Sequence, residues 1–349
     1  MTESKSVRVT FMGGASMTWV PSFAYDFLNS SKLAGSTLVL MDPDGARLQT
    51  MQKYLQRMVR EHRGDLTIEI TTERARALAG ADYVVATFGP GGHEYWKQDI
   101  GIALRYGIQE PAGMSVGQGG LMQGLKGIPM IVEIAHDMEK LCPGARLFNY
   151  TNPMSSLMLA VNRYSRVQGV GVCPGIYLYI GRIARTLGLP ANELAFMAGG
   201  VNHLNWVLEV RHNGEDILPK YGALLAAAEQ HHRARKIETL HGREAVETHE
   251  RFEPISRKLY ELYGAWPTPG DGHVAEFVPF FIGKGRDIET RYNLPHDYIE
   301  KRIEKRKVIW AQIEAAAAGK GDILQGEYES QERAEQMVQS IEFNEQRVF

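Results

Sequence analysis

The stretch Val7-Arg8-Val9-Thr10-Phe11-Met12-Gly13-Gly14-Ala15-Ser16 decides how the rest of the chain is read. Its near-continuous apolar run predicts a strand over Val7–Met12, stopped by two glycines ahead of an apolar helix. Glycine supplies the backbone freedom of such a tight turn. A strand, a glycine turn and a helix in that order open a βαβ unit, in which backbone N–H groups approach a pyrophosphate at the helix N-terminus. The full Gly-x-Gly-x-x-Gly pattern is absent: Ala15 takes the place of the second glycine, and Trp19 stands where a small residue is expected. An ordinary tight turn of an α/β protein would look the same locally.

Further along, Thr37–Asp42, Leu66–Thr71, Tyr83–Phe88, Arg146–Tyr150 and Gly169–Cys173 also read as strands. Several are apolar throughout, as strands buried on both faces are. Helical spacing fills most of the gaps, over Ser22–Ser31, Asp44–Glu61, Leu121–Leu141, Pro153–Tyr164 and Tyr179–Leu187. The alternation predicts an α/β fold with a Rossmann-type, doubly wound parallel sheet. The second strand ends in Leu40-Met41-Asp42, which places a carboxylate where it can accept the ribose hydroxyls of NAD; an NADP site would favour a basic residue there. Gly13, Gly14, Ala15, Ser16 and Asp42 are therefore the cofactor candidates.

The pattern changes after about Ala195. Short strands over Ala195–Ala198 and Trp206–Arg211 lead to the turn His212-Asn213-Gly214. Helices then dominate: Tyr221–Ala234, Glu244–Tyr263, Asp297–Ala318 and Glu329–Ile341, with a Pro/Gly-rich break over Trp266–His273. Two domains are expected, an NAD-binding one over 1–195 and a smaller, mainly helical α+β one over 196–349 that binds substrate and metal.

Composition bounds the function. The 349 residues carry a net charge of −2 with 44% hydrophobic and 23% charged residues, ordinary values for a globular protein. So small a charge argues against nucleic acid or an anionic membrane surface as partner. No apolar run has the length of a membrane span, and the start MTESKSVRVTF lacks a signal-peptide pattern. Cys142 and Cys173 are the only cysteines, too few for a disulfide framework, so a reducing cytoplasm is the expected setting.

Cys173, in Gly-Val-Cys-Pro-Gly after a strand, and His203, in Gly-Gly-Val-Asn-His-Leu-Asn-Trp, are a thiolate and an imidazole able to hold a borderline divalent cation. A buried inert cysteine and a core histidine are the plain alternatives. Together with Gly117-Gln-Gly-Gly120, Asn149-Tyr-Thr-Asn-Pro-Met154 and Tyr263-Gly-Ala-Trp-Pro-Thr-Pro-Gly-Asp-Gly-His-Val-Ala-Glu-Phe277, these segments resemble glycoside hydrolase family 4. Its members are NAD- and metal-dependent glycosidases related to lactate and malate dehydrogenases. The Asp271–Phe277 segment looks most like the branch acting on α-linked uronic acids, and is compatible with the NAD-dependent sulfoquinovosidases.

The resemblance implies an exception to two-carboxylate glycoside hydrolysis. NAD⁺ takes a hydride from C3 of the sugar, the C2 proton becomes acidic, a base removes it, the aglycone is eliminated, water adds and the hydride returns. It further implies Cys173 and His203 as metal ligands, the remaining positions filled by substrate oxygens and water, which suits Mn²⁺. Asp271 corresponds to the general base, with a turn residue of Asp-Gly as its plain alternative. Asn152 is a candidate for the sugar or the nicotinamide side, or else a helix N-cap. Gln109, Glu110, His273 and Glu276 are candidates for sugar hydroxyls. Arg286 and Arg291, with Lys284 and Arg182, are candidates to hold an anionic group, for which a guanidinium fork is suited.

Two departures from the family stand out. Pro174 follows Cys173 where members carry His or Asp, so that position offers no proton donor. The family pattern also continues with a strand, an Asn-Pro-containing loop and helices past the point matching Ser340–Phe349, so the second domain is expected to be short of these. The resemblance suggests a homodimer or homotetramer. An NAD-dependent hydroxy-acid or polyol dehydrogenase and a non-catalytic dinucleotide sensor are the alternative functions.

Overall fold

Strands β1 (Arg8–Met12), β2 (Ser36–Met41), β3 (Leu66–Thr71), β4 (Tyr83–Ala86), β5 (Arg146–Asn149) and β6 (Gly169–Gly171) pair in parallel in the order β3-β2-β1-β4-β5-β6. The structure is a computed structural model that describes residues 6–238, 253–282, 292, 294 and 298–323. Strand direction of propagation reverses between β1 and β4, the switch point at which such sheets open a crevice at their carboxyl ends. The doubly wound parallel sheet is thus the one expected. Its inner strands were readable because they are buried on both faces; all four residues of β4 are buried.

By contacts the chain forms two compact units, Met1–Tyr95, Met122–Cys173 and Glu300–Phe349 in one, Trp96–Leu121 and Pro174–Ile299 in the other. These interleave along the chain, in contrast to a single cut near residue 195. In the first unit, helices α1 (Val20–Asn29), α2 (Gly45–His62), α3 (Arg74–Leu78), most of α4 (Gly92–Arg105) excepted, the bulk of α5 (Gly117–Leu141) and α6 (Met154–Tyr164) accompany the sheet. Phe11, Phe23, Leu40 and Tyr54 form one core with Ile313 and Ala316 of a late helix (Tyr298–Ala317). Arg57 of α2 fastens that helix by donating to the carbonyls of Ala316 (3.0 Å) and Gly321 (2.9 Å). A stretch expected in the C-terminal domain therefore completes the first core.

The second unit contains α7 (Gly175–Leu187), the antiparallel hairpin β7 (Ala195–Val201) and β8 (Leu204–His212), β9 (Glu215–Asp216), α8 (Leu218–Glu238), α9 (Pro254–Tyr263), β10 (Trp266–Thr268) and α10 (Asp271–Phe277). β10 pairs with β8 and forms an edge of the sheet. It lies in the Pro/Gly-rich stretch expected to be a break; an edge strand tolerates Pro267, because one side of it needs no ladder donor. The second core is built on Trp266, Tyr221, Val207 and Ile183, all fully buried. α10 replaces the loop expected around Asp271. The expected helix Glu329–Ile341 and the first part of Glu244–Tyr263 lie outside the described residues. No described helix is long and apolar enough to cross a membrane.

Candidate active site

In the first unit the glycine turn closes tightly on the sheet. Gly13 and Gly14 both donate to the Met41 carbonyl, at 3.0 and 2.7 Å. Gly13 has φ +99°, and a Cβ there would stand 2.7 Å from the Phe88 nitrogen; one on Gly14 would stand 2.6 Å from that of Met41. Neither position has room for a side chain. The Asp42 carboxylate lies over the turn, accepting from the N–H of Ala15 (3.3 Å) and of Asp44 (3.1 Å). The Ser16 N–H closes onto the Gly13 carbonyl at 3.0 Å. Glycines packed against both neighbouring strands and a carboxylate at the end of β2 are a fitting cradle for a dinucleotide.

The Asn149–Met154 segment braces the same edge. Buried Asn149 donates to the Thr151 carbonyl (3.1 Å) and accepts from its N–H (3.0 Å). The Thr151 hydroxyl donates to the Phe88 carbonyl at 2.9 Å, joining the ends of β4 and β5. Asn152 accepts from the Met154 N–H at 3.4 Å two residues on, an Asx-type turn ahead of α6; the N-cap of that helix is Pro153, so Asn152 is not its cap. Cys173 follows β6 as a partly exposed cysteine outside any disulfide. Its charge, that of Asp26 and above all burial push the Tyr150 phenol well above its ordinary range.

In the second unit two buried carboxylates grip one loop. Glu110 accepts from the N–H groups of Gln118 (2.5 Å) and Gly119 (2.8 Å). Glu276, from α10, accepts from those of Ala112 (2.5 Å) and Gly113 (2.6 Å) through Oε1. Burial pushes both carboxyls up against the lowering effect of these amides; Glu276, with Glu110 near it, reaches about 7. The loop so held carries Ser115, whose hydroxyl lies 2.6 Å from Nδ1 of His203. His203 itself is 6% exposed and stacks on His273, ring centroids 4.1 Å apart and planes 23° from parallel. It occupies the two-residue turn between β7 and β8 with φ +67°, an uncommon conformation for a histidine. Among the described residues, buried Nε2 of Gln109 and Oε2 of Glu276 have no hydrogen-bond partner, so each can bind an added polar group.

Asp271 begins α10, and its carboxylate caps the start of α9. Oδ2 accepts from the Ile255 N–H at 2.9 Å; Oδ1 accepts from the Ser256 N–H at 2.9 Å and its hydroxyl at 2.7 Å. Burial raises its pKa, and these donors and Arg182 oppose the rise. Next to it lies a polar cluster in the core. Glu253 is fully buried, pairs with Arg182 at 2.6 Å, and accepts from the Tyr179 and Tyr221 hydroxyls. The indole N–H of Trp266 donates to the Tyr179 oxygen. Burial pushes the Glu253 carboxyl to about 7 in spite of Arg182. Arg182, a candidate for a substrate anion, is thus engaged with a protein carboxylate.

The structure brings Glu110, Glu276, His203 and His273 together with Ser115 through this loop, and places Asp271 on the Glu253 cluster; no hydrogen bond of Gln109 Nε2 ties that side chain to this group among the described residues. Arg286 and Arg291 lie outside the described residues. Cys173 falls in the first unit and His203 in the second. Among the described residues no three His, Cys, Asp or Glu side chains form a metal-binding group. Ser115, Thr151 and Glu253 escaped the sequence reading: a serine in Gly-Met-Ser-Val-Gly and a glutamate before a proline have no local mark of their distant partners.

A doubly wound sheet with a glycine turn at its switch point, joined to an α+β unit with a histidine–serine cluster, defines an enzyme scaffold of the dinucleotide-binding α/β class. The family 4 glycosyl hydrolase pattern matches residues 8–189, and that of the family's C-terminal domain matches residues 198–349. The chain belongs to family 4 of the glycosyl hydrolases. It is 28% identical over 348 residues to an alpha-galactosidase of Bacillus subtilis (strain 168), covering 98% of this chain and 75% of that protein. It is 26% identical over 333 residues to an alpha-galacturonidase of the same organism, covering 90% of this chain and 72% of that protein. Among solved structures, a 6-phospho-alpha-glucosidase from gut microorganisms, in complex with NAD and Mn²⁺, shares the fold with a TM-score of 0.75 at 22% identity, covering 97% of this chain and 74% of the other.

Proposed function

We propose that this family 4 glycosidase is NAD-dependent and cleaves α-glycosides of an anionic hexose, a uronide or a sulfoquinovoside, by transient oxidation at C3. The observation that carries the reading is His203, a histidine held in an unusual backbone conformation with its ring fixed by Ser115 and His273. Unusual backbone held this firmly is characteristic of sites that must be preorganised. The anionic sugar is supported by the Asp271–Phe277 segment and by the alpha-galacturonidase relative.

Gly13, Gly14, Ala15, Ser16, Asp42 and Asn152 would hold NAD, and Cys173 and His203 a divalent cation, Mn²⁺ by the oxygen-rich character of its other ligands. When bound, these groups supply a hydride acceptor for C3 and Lewis acidity at the C2 and C3 oxygens. Asp271 would take the C2 proton as general base; its capping bonds fix where the carboxylate stands, and burial raises its basicity. Gln109, Glu110, Asn152, His273, Glu276, Arg286 and Arg291 would orient the sugar. Of these, Gln109 Nε2 and Glu276 Oε2 are buried without a hydrogen-bond partner among the described residues and can take a sugar hydroxyl. Pro174 supplies no proton to the leaving group, so aglycones of low basicity are the expected substrates. Cys142 and Cys173, which form no disulfide, support a cytoplasmic setting, and a homodimer or homotetramer is the assembly proposed.

The test is a panel of aryl α-galacturonide, α-glucuronide, α-sulfoquinovoside and α-galactoside with NAD⁺, with and without Mn²⁺. Release of aglycone from an anionic member, with catalytic NAD⁺ and no build-up of NADH, is expected. Stoichiometric NADH would make the protein a dehydrogenase, and binding of NAD without turnover a sensor. Preference for the galactoside would overturn the anionic part of the reading. Asp42→Ala should weaken NAD binding, measured by calorimetry.

A further inference from the structure

We propose that Ser115 is the positioning residue of His203: its hydroxyl accepts the Nδ1–H, and so Nε2 is the ring nitrogen that His203 offers to a divalent cation. The inference rests on the reading of His203 as a metal donor. A histidine that ligates a metal through one nitrogen normally donates from the other to an oxygen, which fixes the tautomer and the ring plane. Here the Ser115 oxygen lies 2.6 Å from Nδ1, within hydrogen-bond range.

Three further features make Ser115 more than a chance neighbour. The loop that bears it is held on both sides by buried carboxylates, Glu276 on the Ala112 and Gly113 amides and Glu110 on those of Gln118 and Gly119. Glycine is required in the first turn of α5, on which the loop packs, because a Cβ on Gly119 would strike the Gly113 carbonyl oxygen and one on Gly120 would stand 2.5 Å from the Ser115 carbonyl carbon. The other partner is equally restrained. The Val201–Leu204 pair of the β7–β8 ladder pins the turn, and His273 covers one face of the His203 ring. Backbone, ring face and Nδ1 of His203 are thereby set by three separate parts of the second unit, and the hydroxyl decides only the tautomer. Preorganisation of a donor by its supporting hydrogen bond is what gives metal sites much of their affinity.

Mn²⁺ binding to the full chain, read from the loss of the free-ion electron paramagnetic resonance signal, tests this without reference to turnover. Ser115→Ala should weaken Mn²⁺ binding about 10- to 100-fold. Ser115→Thr, which keeps the hydroxyl, should restore it to within a few-fold of the parent. Unchanged affinity in Ser115→Ala, with binding lost in His203→Ala, would overturn the role of Ser115 alone. Unchanged affinity in His203→Ala would overturn the metal reading beneath it. In the unsubstituted protein, ¹⁵N spectra of labelled histidine, with His203 assigned by its absence in His203→Gln, should show the Nδ1–H tautomer before metal is added. An Nε2–H tautomer would overturn the proposal whatever the variants do.

Discussion

Replacing Glu276 by Gln should make the protein less sensitive to rising pH, by an amount that the structure specifies. Glu276 is 5% exposed, and burial lifts its carboxyl from 4.5 to about 7 even though Oε1 accepts two backbone amides. With the folded-state pKa above the unfolded one, the folded protein binds more protons than the unfolded chain between these values. The stability that Glu276 contributes is therefore complete below pH 4.5 and is lost as pH rises through about 7. At about 1.4 kcal/mol per pH unit, the full change is about 3 kcal/mol, most of it between about pH 5 and 8. Gln keeps an oxygen for the Ala112 and Gly113 amides but carries no charge to bury. Relative to the parent, Glu276→Gln should gain that amount on going from about pH 5 to 8, read by urea unfolding of the full chain at both values. If the second unit melts as its own transition, the relative Tm should move by roughly 6–12 °C. A difference between the two proteins that stays constant with pH would refute the reasoning, because it would mean that burial costs the Glu276 carboxylate nothing.

Two other perturbations test the polar cluster of Asp271, Glu253 and Arg182. Asp271→Asn removes one acceptor from the cap of α9 and should cost about 1 kcal/mol of stability, while turnover falls about 10²- to 10⁴-fold with the loss of a general base. A turnover loss under about tenfold, alongside the stability loss, would leave Asp271 a capping residue and move the base elsewhere. Arg182→Met strips the cation from fully buried Glu253 and should destabilise by about 3–5 kcal/mol; adding Glu253→Gln should recover most of it in the same melts. A double variant no more stable than the single one would show that the ion pair is not what Arg182 contributes.

The sheet was legible because its inner strands, β1, β4 and β5, are mostly buried and read as short apolar runs, while β3 alternates apolar and polar residues as a half-exposed edge strand does. Strands β1 to β5 lie within two residues of where hydrophobicity put them. Helix α4 was missed: Gly92, His93 and Gly101 break its apolar stripe, and only Trp96, Asp99 and Ala103 are buried in it. β10 was missed for the opposite reason, since Pro267 and Pro269 disguise a strand that a sheet edge accepts. The late helix Tyr298–Ala317 was recognised, but its packing on the first core was not legible, because amphipathic spacing names a buried face and not its neighbour.

Candidate site residues divide along the same line. By themselves, residues 7–42 announce a glycine turn followed by a carboxylate, since both belong to one contiguous βαβ segment and interact locally. His203 could be singled out by its type and setting, yet Ser115, its partner, is 88 residues away in sequence. Glu276 meets the Ala112 amide across 164 residues, and Arg182 of α7 pairs with Glu253 just before α9, a partner from a distant segment. Sequence alone determined the fold class and the chemical types available. Tertiary structure decided which acids are buried, which are consumed by backbone amides and which ring nitrogen of His203 is engaged. Ionisation and hydrogen bonding depend on desolvation and on contacts between distant segments, and neither exists until the chain has packed.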